Sequence, residues 1–266
     1  MVYLVDKLNE SKINPITNLP YDDTWVAYCL TDADDYKMMV GNSGGAVYTA
    51  RVSRKYTGWK MSVCDFIHFH ESGHKNIILS VSPKELEEAH KCYKGHHFRD
   101  PFLREDEPEV LVHSTTYENW LSIREDNCLK SWNFLKSEKA AWEENPIGRE
   151  LGDPADFCDY IMFSDGSVSS ELVVLSKQNG MIIMDPEMQY RAGVRLYLDI
   201  RKIANDGLLI RDGVHLKVKD YLPLEPYLIW YATWDRVGFN SDLSTPRAFA
   251  QKSNEMFHHL FVPERS

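Results

Sequence analysis

The sequence predicts an α+β protein in two parts, a small α+β N-terminal domain over residues 1–105 and a second domain over 106–266. Apolar alternation of the kind found in half-buried strands recurs along the chain, and segments with clear helix-capping signals stand between these strands. The boundary is set within 102–110, where acidic residues and a proline separate two apolar patterns. With 266 residues, 43% of them hydrophobic, the chain can bury a substantial core.

The first part alternates strands with one well-signalled helix. The predicted strands span residues 44–53, 60–70 and 75–81. The helix is predicted at 82–95, because Ser82 can cap it, Pro83 occupies its first turn and Glu85 completes a capping box.

The second part opens on EVLVHSTTYENWL, in which an apolar run ends at His113 and a helix pattern follows. That helix is predicted at 115–126, with Thr115 and Glu118 as its capping box. The remaining predicted elements are helices at 134–145 and 245–261, strands at 159–165, 193–200 and 225–237, and a hairpin at 207–218 that turns at Asp212–Gly213.

Composition excludes several classes of protein. The net charge of −10 argues against general binding to a nucleic-acid backbone, and the cations in 51–60 are interpreted as a solvated strand face. The five cysteines are odd in number and never form C-x-x-C, which argues against a disulfide framework or a thiolate zinc site. Charge at Asp6 comes too early for a signal peptide, and no apolar run approaches the ~18 residues of a membrane span. We therefore expect a soluble cytoplasmic protein.

Two other motifs have ordinary explanations that we prefer. Ser43 lies in VGNSGGAVY, which resembles the surroundings of a trypsin-like nucleophile, but no histidine precedes it, so we interpret the segment as a hairpin turn. On a strand, His68 and His70 would share one face, with His74 beyond a turn. These three could hold a metal if a fourth ligand came from elsewhere, but a histidine-rich surface edge is the preferred interpretation.

His113 raises the strongest functional question. Where a helix follows directly after a strand, the start of the helix exposes free N–H groups and the positive end of the helix dipole, and this favours binding of an anion. His113 and Ser114 stand at that point. Phosphate-cradling glycines of the Rossmann and P-loop types are absent from the sequence, so any nucleotide must be held in another way. Local evidence leaves two readings open, a nucleotide contact or a histidine packed at a strand end.

A family resemblance favours the first reading. Residues 112–131, VHSTTYENWLSIREDNCLKS, resemble the His-Gly-Thr segment, following helix and turn of the NAD-dependent RNA 2′-phosphotransferases. Residues 194–228 resemble that family's later segment, an apolar strand ending in aspartate, an Asp-Gly turn and a Gly-Val-x-Leu. YIMFS, 160–164, stands where the family has a His-Ile-His-Leu-Ala strand. The resemblance covers roughly residues 110–230 and implies the wider ADP-ribosyltransferase fold, a split β-sheet core with peripheral helices.

This sequence departs from the family at defined positions. Ser114 replaces the family's glycine, and Tyr160 begins the strand that carries histidines there. The basic residues that grip the 2′-phosphate in the family have no counterpart in this sequence. The resemblance therefore implies an NAD site more than it implies removal of an RNA phosphate.

The resemblance implies NAD as co-substrate and assigns roles around it. His113 would bond the adenosine-side ribose, and Glu171 is the candidate carboxylate for the oxocarbenium-like transition state. Tyr160 could stack on nicotinamide, and Arg191 or Arg195 could hold the pyrophosphate. The predicted cofactor-binding residues are His113, Ser114, Thr115, Tyr160, Arg191 and Arg195.

The sequence thus predicts an NAD-dependent transferase that cleaves the nicotinamide–ribose bond and transfers ADP-ribose to a nucleic acid or a protein. An alternative is a catalytically degenerate module of the same fold that binds a nucleotide or a partner. A weaker one is a metal-dependent hydrolase that uses His68, His70 and His74.

Overall fold

The computed structural model describes residues 1–8, 11–43, 47–138 and 153–261. It is a mixed α+β structure, which confirms the predicted class. The chain divides into two compact units, each built from separate stretches. The first contains residues 1–106, 153–158 and 209–217, and the second contains the described residues of 107–147, 159–208 and 218–266. Within the described residues, no helix is long and apolar enough to cross a membrane.

Helices and strands are interspersed along the described part of the chain. The helices are α1 (Trp59–Ser72), α2 (Pro83–Tyr93), α3 (Tyr117–Asp126), α4 (Trp132–Glu138), α5 (Ser169–Asn179), α6 (Ile200–Asn205) and α7 (Pro246–Phe261). The strands are β1 (Val2–Leu4), β2 (Trp25–Thr31), β3 (Met38–Ser43), β4 (Val47–Ser53), β5 (Asn76–Ser80), β6 (Leu111–Thr115), β7 (Cys128–Lys130), β8 (Tyr160–Phe163), β9 (Tyr190–Arg191), β10 (Val194–Leu198), β11 (Ile210–Arg211), β12 (Leu216–Lys219), β13 (Tyr221–Pro223), β14 (Leu228–Ala232) and β15 (Leu243–Ser244).

The first unit is built on a five-stranded sheet in the order β1-β5-β2-β4-β3. Neighbouring strands run parallel from β1 to β4, and β3 is an antiparallel edge strand. Strand β2 is almost entirely apolar and buried, as expected for a central parallel strand with both faces covered. The predicted hairpin around Ser43 is confirmed for its two strands, while 44–46 lie outside the described residues.

Helix α1 overturns one sequence prediction. Residues 60–70, predicted as a strand, are helical. Val63, Phe66, Ile67 and His70 are all buried, and their spacing of three, one and three residues defines one helical face. The segment also alternates between apolar and polar residues, which is why its sequence predicts a strand where the structure has a helix. The strands at 44–53 and 75–81 and helix α2 are confirmed, the helix with its Ser82–Glu85 capping box.

The hairpin β11–β12 confirms the hairpin predicted at 207–218 and belongs to the first unit through residue 217. Its turn spans residues 212–215, because Arg211 pairs with Leu216, and is therefore longer than the predicted pair Asp212–Gly213 that it contains. Gly213 has a φ of +89°, which side chains rarely adopt. A Cβ there would also lie 2.4 Å from the backbone oxygen of Ser62. Glycine is therefore required at this turn for its backbone angle and for its small size.

The second unit contains an antiparallel sheet in the order β14-β10-β6. A β-bridge between Val112 and Ser164 joins β6 to the residue that follows β8. The core cluster beside this sheet includes Val112, Tyr197, Trp230 and Phe257. The smaller pairings are β13 with β7 and β15 with β9.

Most predicted elements of the second unit are confirmed, with changed ends. The strand at 225–237 is restricted to β14, and helix α7 begins as predicted with Thr245 accepting a bond from the N–H of Ala248. The capping box of Thr115 and Glu118 is wrong, because Thr116 caps α3 and accepts from the N–H of Asn119. Helix α4 ends its described part at Glu138, so the rest of the helix predicted at 134–145 lies outside the described residues.

Candidate functional site around His113 and Ser114

His113 lies on β6, directly opposite Leu196 of β10, and its side chain is half-buried. Its Nδ1 lies 3.1 Å from the backbone oxygen of Met162. A carbonyl oxygen only accepts, so Nδ1 carries the proton and Nε2 has the free lone pair of a neutral imidazole. Burial lowers the pKa of His113 below its usual value, which keeps the ring neutral at pH 7. The ring of Phe163 meets it edge-on at 6.1 Å between centroids.

Ser114 is tied to Glu171, the candidate carboxylate. The Ser114 hydroxyl donates to Glu171 Oε1 at 2.5 Å, and Tyr190 donates to Oε2 at the same distance. Arg195 Nη1 also donates to Oε1, at 2.9 Å. Both carboxylate oxygens therefore have partners within the protein.

Arg195 is the second residue of β10 and is fully buried, like Glu171. Its Nη2 donates to the backbone oxygen of Gly166 at 2.8 Å and to Asn254 Oδ1 at 3.2 Å. The amide of Asn254 in turn donates to the same Gly166 oxygen and accepts from Tyr197. The guanidinium thus connects β10 with the loop before α5 and with α7.

The hydrogen bonds around the buried pair of Arg195 and Glu171 explain how both charges are tolerated in the core. A buried charge pair is tolerated only when its remaining hydrogen-bonding capacity is also satisfied, and the Arg195–Glu171 pair meets that condition. In this conformation Glu171 presents no oxygen to a ligand. Its carboxylate instead fixes the hydroxyl of Ser114, and with it the end of β6 that carries His113.

Thr115 and Thr116 complete the passage from strand to helix. Thr115 is buried, and its backbone oxygen lies so close to Gly193 that a Cβ on that glycine would be 2.0 Å away. The predicted contact between Thr115 and a cofactor would have to come from its backbone or from a changed conformation. Thr116 uses its hydroxyl to cap α3.

The two candidate arginines occupy different environments. Arg195 is enclosed by the network, whereas the Arg191 side chain is 76% exposed and has Asp242 at 3.8 Å. Of these two arginines, Arg191 is therefore the one that could contact a phosphate from solvent in this conformation. Tyr160 is half-buried at the start of β8, two residues before the Met162 carbonyl that holds His113.

The structure brings Ser114, Glu171 and Arg195 together, with His113 adjacent in sequence to Ser114. Sequence reasoning missed Tyr190, Tyr197 and Asn254. One signal was available for Tyr197, since Arg195 and Tyr197 share a face of an otherwise apolar strand. Nothing in the local sequence marks Tyr190 or Asn254 as their partners.

The N-terminal histidines are separated by the helix that replaces the predicted strand. His68 is exposed and stacks on Tyr93, His70 is buried, and His74 lies beyond the helix end. Across the described ranges, no three His, Cys, Asp or Glu side chains are grouped so that they could hold a metal ion. The geometry that suggested a metal-dependent hydrolase is therefore wrong.

No protein-family model matches the chain, and neither the characterised proteins nor the solved structures contain a significant match.

Proposed function

We propose that the second unit is an NAD-dependent transferase, which cleaves the nicotinamide–ribose bond and transfers ADP-ribose to a nucleic acid or a protein. The observation that supports this most is the fixed tautomer of His113, whose Nδ1–H is held by the Met162 carbonyl. We further propose that the sheet β14-β10-β6 belongs to the split core of the ADP-ribosyltransferase fold.

His113 is proposed to bind the ribose on the adenosine side of NAD. With the proton on Nδ1, its Nε2 accepts a hydrogen bond from a ribose hydroxyl. The lowered pKa of the ring protects this acceptor from protonation near neutral pH. A mobile or protonated imidazole would lose that contact.

Other side chains of the second unit have the chemical character that binding of NAD requires. Tyr160 offers an aromatic face for the cationic nicotinamide ring. Arg191 is proposed as the pyrophosphate contact, because it is exposed whereas Arg195 is enclosed. Ser114 and Thr115 place the polar end of β6 against the start of α3.

The reaction breaks the bond between the ribose C1′ and the nicotinamide nitrogen, and the bonding electrons leave with neutral nicotinamide. A nucleophilic oxygen or nitrogen of the acceptor forms the new bond to C1′ and loses its proton to solvent or a base. The transition state has oxocarbenium character. Glu171 is proposed to act through Ser114, as a positioning residue, because its carboxylate is enclosed by Ser114, Tyr190 and Arg195.

The test is nicotinamide release from NAD by the purified protein, with and without a panel of DNA, RNA and protein acceptors. We expect release by the wild type and at least a hundredfold loss in His113→Ala, with that variant still folded at the assay temperature by circular dichroism. His68→Ala is the matched control, since His68 is exposed on α1 of the first unit. Absence of release by the wild type, or full activity of His113→Ala, would reject the proposal.

A second candidate function is a binding module of the same fold that does not turn NAD over. Both carboxylate oxygens of Glu171 are bonded to protein groups, which favours the binding module. Glu171 is the carboxylate assigned to the ribose, and a transferase would need one there to stabilise the transition state. Thermal stabilisation by NAD or ADP-ribose, without nicotinamide release, would support the module. Stabilisation together with release would support the transferase.

A further inference from the structure

Two polar side chains lie in the core of the first unit without a hydrogen-bond partner. His70 of α1 is 1% exposed, and Tyr48 of β4 is 5% exposed. Among the described residues, neither the two ring nitrogens of His70 nor the hydroxyl of Tyr48 has a partner. Buried polar groups are nearly always bonded, because an unpaired one loses its bonds to water without replacement. A ligand between these two side chains would supply the bonds that the protein itself does not.

The two rings are neighbours in a tightly packed aromatic cluster. The ring centroids of Tyr48 and His70 are 6.4 Å apart. The ring of Phe157 is 5.4 Å from Tyr48 and 6.3 Å from His70. Phe66 and Phe69 also pack against the imidazole, at 4.3 and 5.0 Å between centroids. Rings packed this closely exclude an organic ligand, so the ligand must be very small.

A third atom without a partner lies in the same region. Oδ1 of Asp156 is buried and has no hydrogen bond within the described part of the chain, although Lys75 Nζ is 3.5 Å away. Burial raises the pKa of Tyr48, and the charges of Asp212, Asp153 and Asp156 add to that rise. Asp156 is therefore within electrostatic range of the Tyr48 hydroxyl.

These groups offer both donors and acceptors. Burial lowers the pKa of His70 to about 3, so its ring is neutral at pH 7, with one N–H donor and one acceptor nitrogen. The hydroxyl of Tyr48 can donate and accept, and the carboxylate of Asp156 accepts. The ligand that satisfies them must itself both donate and accept hydrogen bonds.

The charges around the two rings favour a neutral ligand. The charged and titratable side chains that act on them are Lys75, Asp153, Asp156, Asp212, His215 and Lys217. Three carboxylates against two lysines disfavour an anion. A metal ion is disfavoured as well, since no three His, Cys, Asp or Glu side chains of the described ranges are grouped to hold one. A small neutral molecule fits these conditions.

We propose that this interior site binds water, with at least one molecule bridging the Tyr48 hydroxyl and a ring nitrogen of His70 and donating to Asp156 Oδ1. Buried waters typically make about three hydrogen bonds, to polar groups that otherwise have no partner. Tyr48 and His70 belong to the stretch 1–106 and Asp156 to the stretch 153–158, so the water joins two separate parts of the first unit. The site is independent of the proposed binding of NAD.

The direct test is a crystal structure of the full chain at a resolution that shows ordered water. We expect a water oxygen at about 2.7–3.2 Å from Tyr48 Oη and from one ring nitrogen of His70. A direct bond between the two side chains, a water that contacts only one of them, a bound ion, or no density between them would overturn the proposal.

A second test works in solution, where oxygen-17 magnetic relaxation dispersion reports long-lived internal waters. Tyr48→Phe should reduce that signal by the equivalent of one molecule and lower the melting temperature, because the water loses a bond. Tyr28→Phe is the matched control, since Tyr28 is buried on β2 and its hydroxyl lies 3.0 Å from Ser62 Oγ. It should also melt earlier, but keep the full water signal.

An unpaired hydroxyl predicts the opposite result for Tyr48→Phe. Removal of a buried polar group that has no partner is neutral or stabilising. An unchanged or raised melting temperature, together with an unchanged water signal, would therefore show that no water binds Tyr48.

Discussion

The guanidinium of Arg195 and the carboxylate of Glu171 form an ion pair at 2.9 Å in which both side chains are fully buried. Their neighbours Ser114, Tyr190 and Asn254 satisfy further hydrogen bonds of the pair. Removal of one charge leaves the other buried and uncompensated, which costs far more than the net contribution of the intact pair.

Arg195→Met is therefore expected to lower the free energy of unfolding by about 3–5 kcal/mol. Urea denaturation followed by circular dichroism measures the change. Arg191→Met is the matched control, and its exposed pairing with Asp242 predicts a loss of at most about 1 kcal/mol. The double variant Glu171→Gln/Arg195→Met should recover part of the loss. Equal losses in the two arginine variants would contradict the buried-pair argument.

Gly193→Ala is expected to destabilise the protein by at least about 2 kcal/mol, because the new Cβ would overlap the backbone oxygen of Thr115. The two strands β6 and β10 would have to separate locally, which should also reduce any NAD binding. Gly41→Ala is the control, since a Cβ at Gly41 meets nothing within 4 Å. Thermal unfolding of both variants checks this, and similar melting temperatures would show that the close approach is not required.

The buried imidazole of His70 is expected to make the free energy of unfolding depend on pH. Burial lowers its pKa to about 3, with Asp212 opposing that shift and Lys217, Lys75 and His215 adding to it. The unfolded chain, with a histidine pKa near 6.5, binds the proton first, so stability falls as pH drops from about 6.5 towards 3.

The slope assigned to His70 is about 1.4 kcal/mol per pH unit across that window. We expect His70→Leu to remove this part of the slope in urea denaturation at pH 4.5, 5.5 and 6.5. His68→Leu, at an exposed position of the same helix, should keep the wild-type slope. Parallel curves for wild type and His70→Leu would contradict the assignment.

His113 should remain neutral at pH values where exposed histidines are protonated, because burial lowers its pKa. An NMR titration of the imidazole signals, with His113 identified by its loss in His113→Ala, measures this directly. Its titration midpoint should lie below 6.5, the usual value for histidine. A midpoint at or above 6.5 would contradict the proposed hydrogen-bond acceptor.

Cys64 and Cys92 should differ sharply in thiol reactivity. Cys64 is buried, and burial raises its pKa to about 12, whereas Cys92 is exposed on α2. At pH 8 a thiol reagent should modify Cys92 first, and Cys92→Ser should abolish that fastest phase. Cys64→Ala should leave the native reaction unchanged and remove one thiol only after denaturation. A fast phase that disappears in Cys64→Ala would contradict the placement of α1.

Local patterns predicted the parts of the fold that local interactions determine. The capping box of Ser82 and Glu85 lies within four residues, and the turn that contains Gly213 spans residues 212–215, so local sequence patterns predict both. Strand β2 was missed because a central parallel strand is apolar on both faces and shows no alternation. Helix α1 was predicted as a strand because the spacing of its apolar residues fits both the helical period and the strand period.

The candidate site could be predicted only in part, for a similar reason. His113 and Ser114 stand out where a strand hands over to a helix, and Glu171 and Arg195 stand out as charges in apolar surroundings. Their mutual pairing joins residues 24 positions apart, and Asn254 is 59 positions from Arg195. Such pairings depend on the folded packing and leave no mark on the local sequence.

The discontinuity of the first unit has a consequence for the protein's synthesis. Arg211 donates to the backbone oxygens of Asp100 and Phe102, and the Ser62 hydroxyl donates to that of Gly213 at 2.5 Å. These partners leave the ribosome about a hundred residues after the unit's N-terminal stretch has been made. At ~5–20 residues per second, the N-terminal stretch of the first unit waits roughly 5–20 s for the hairpin that completes the unit. Chaperone binding to the growing chain is expected to concentrate in that interval.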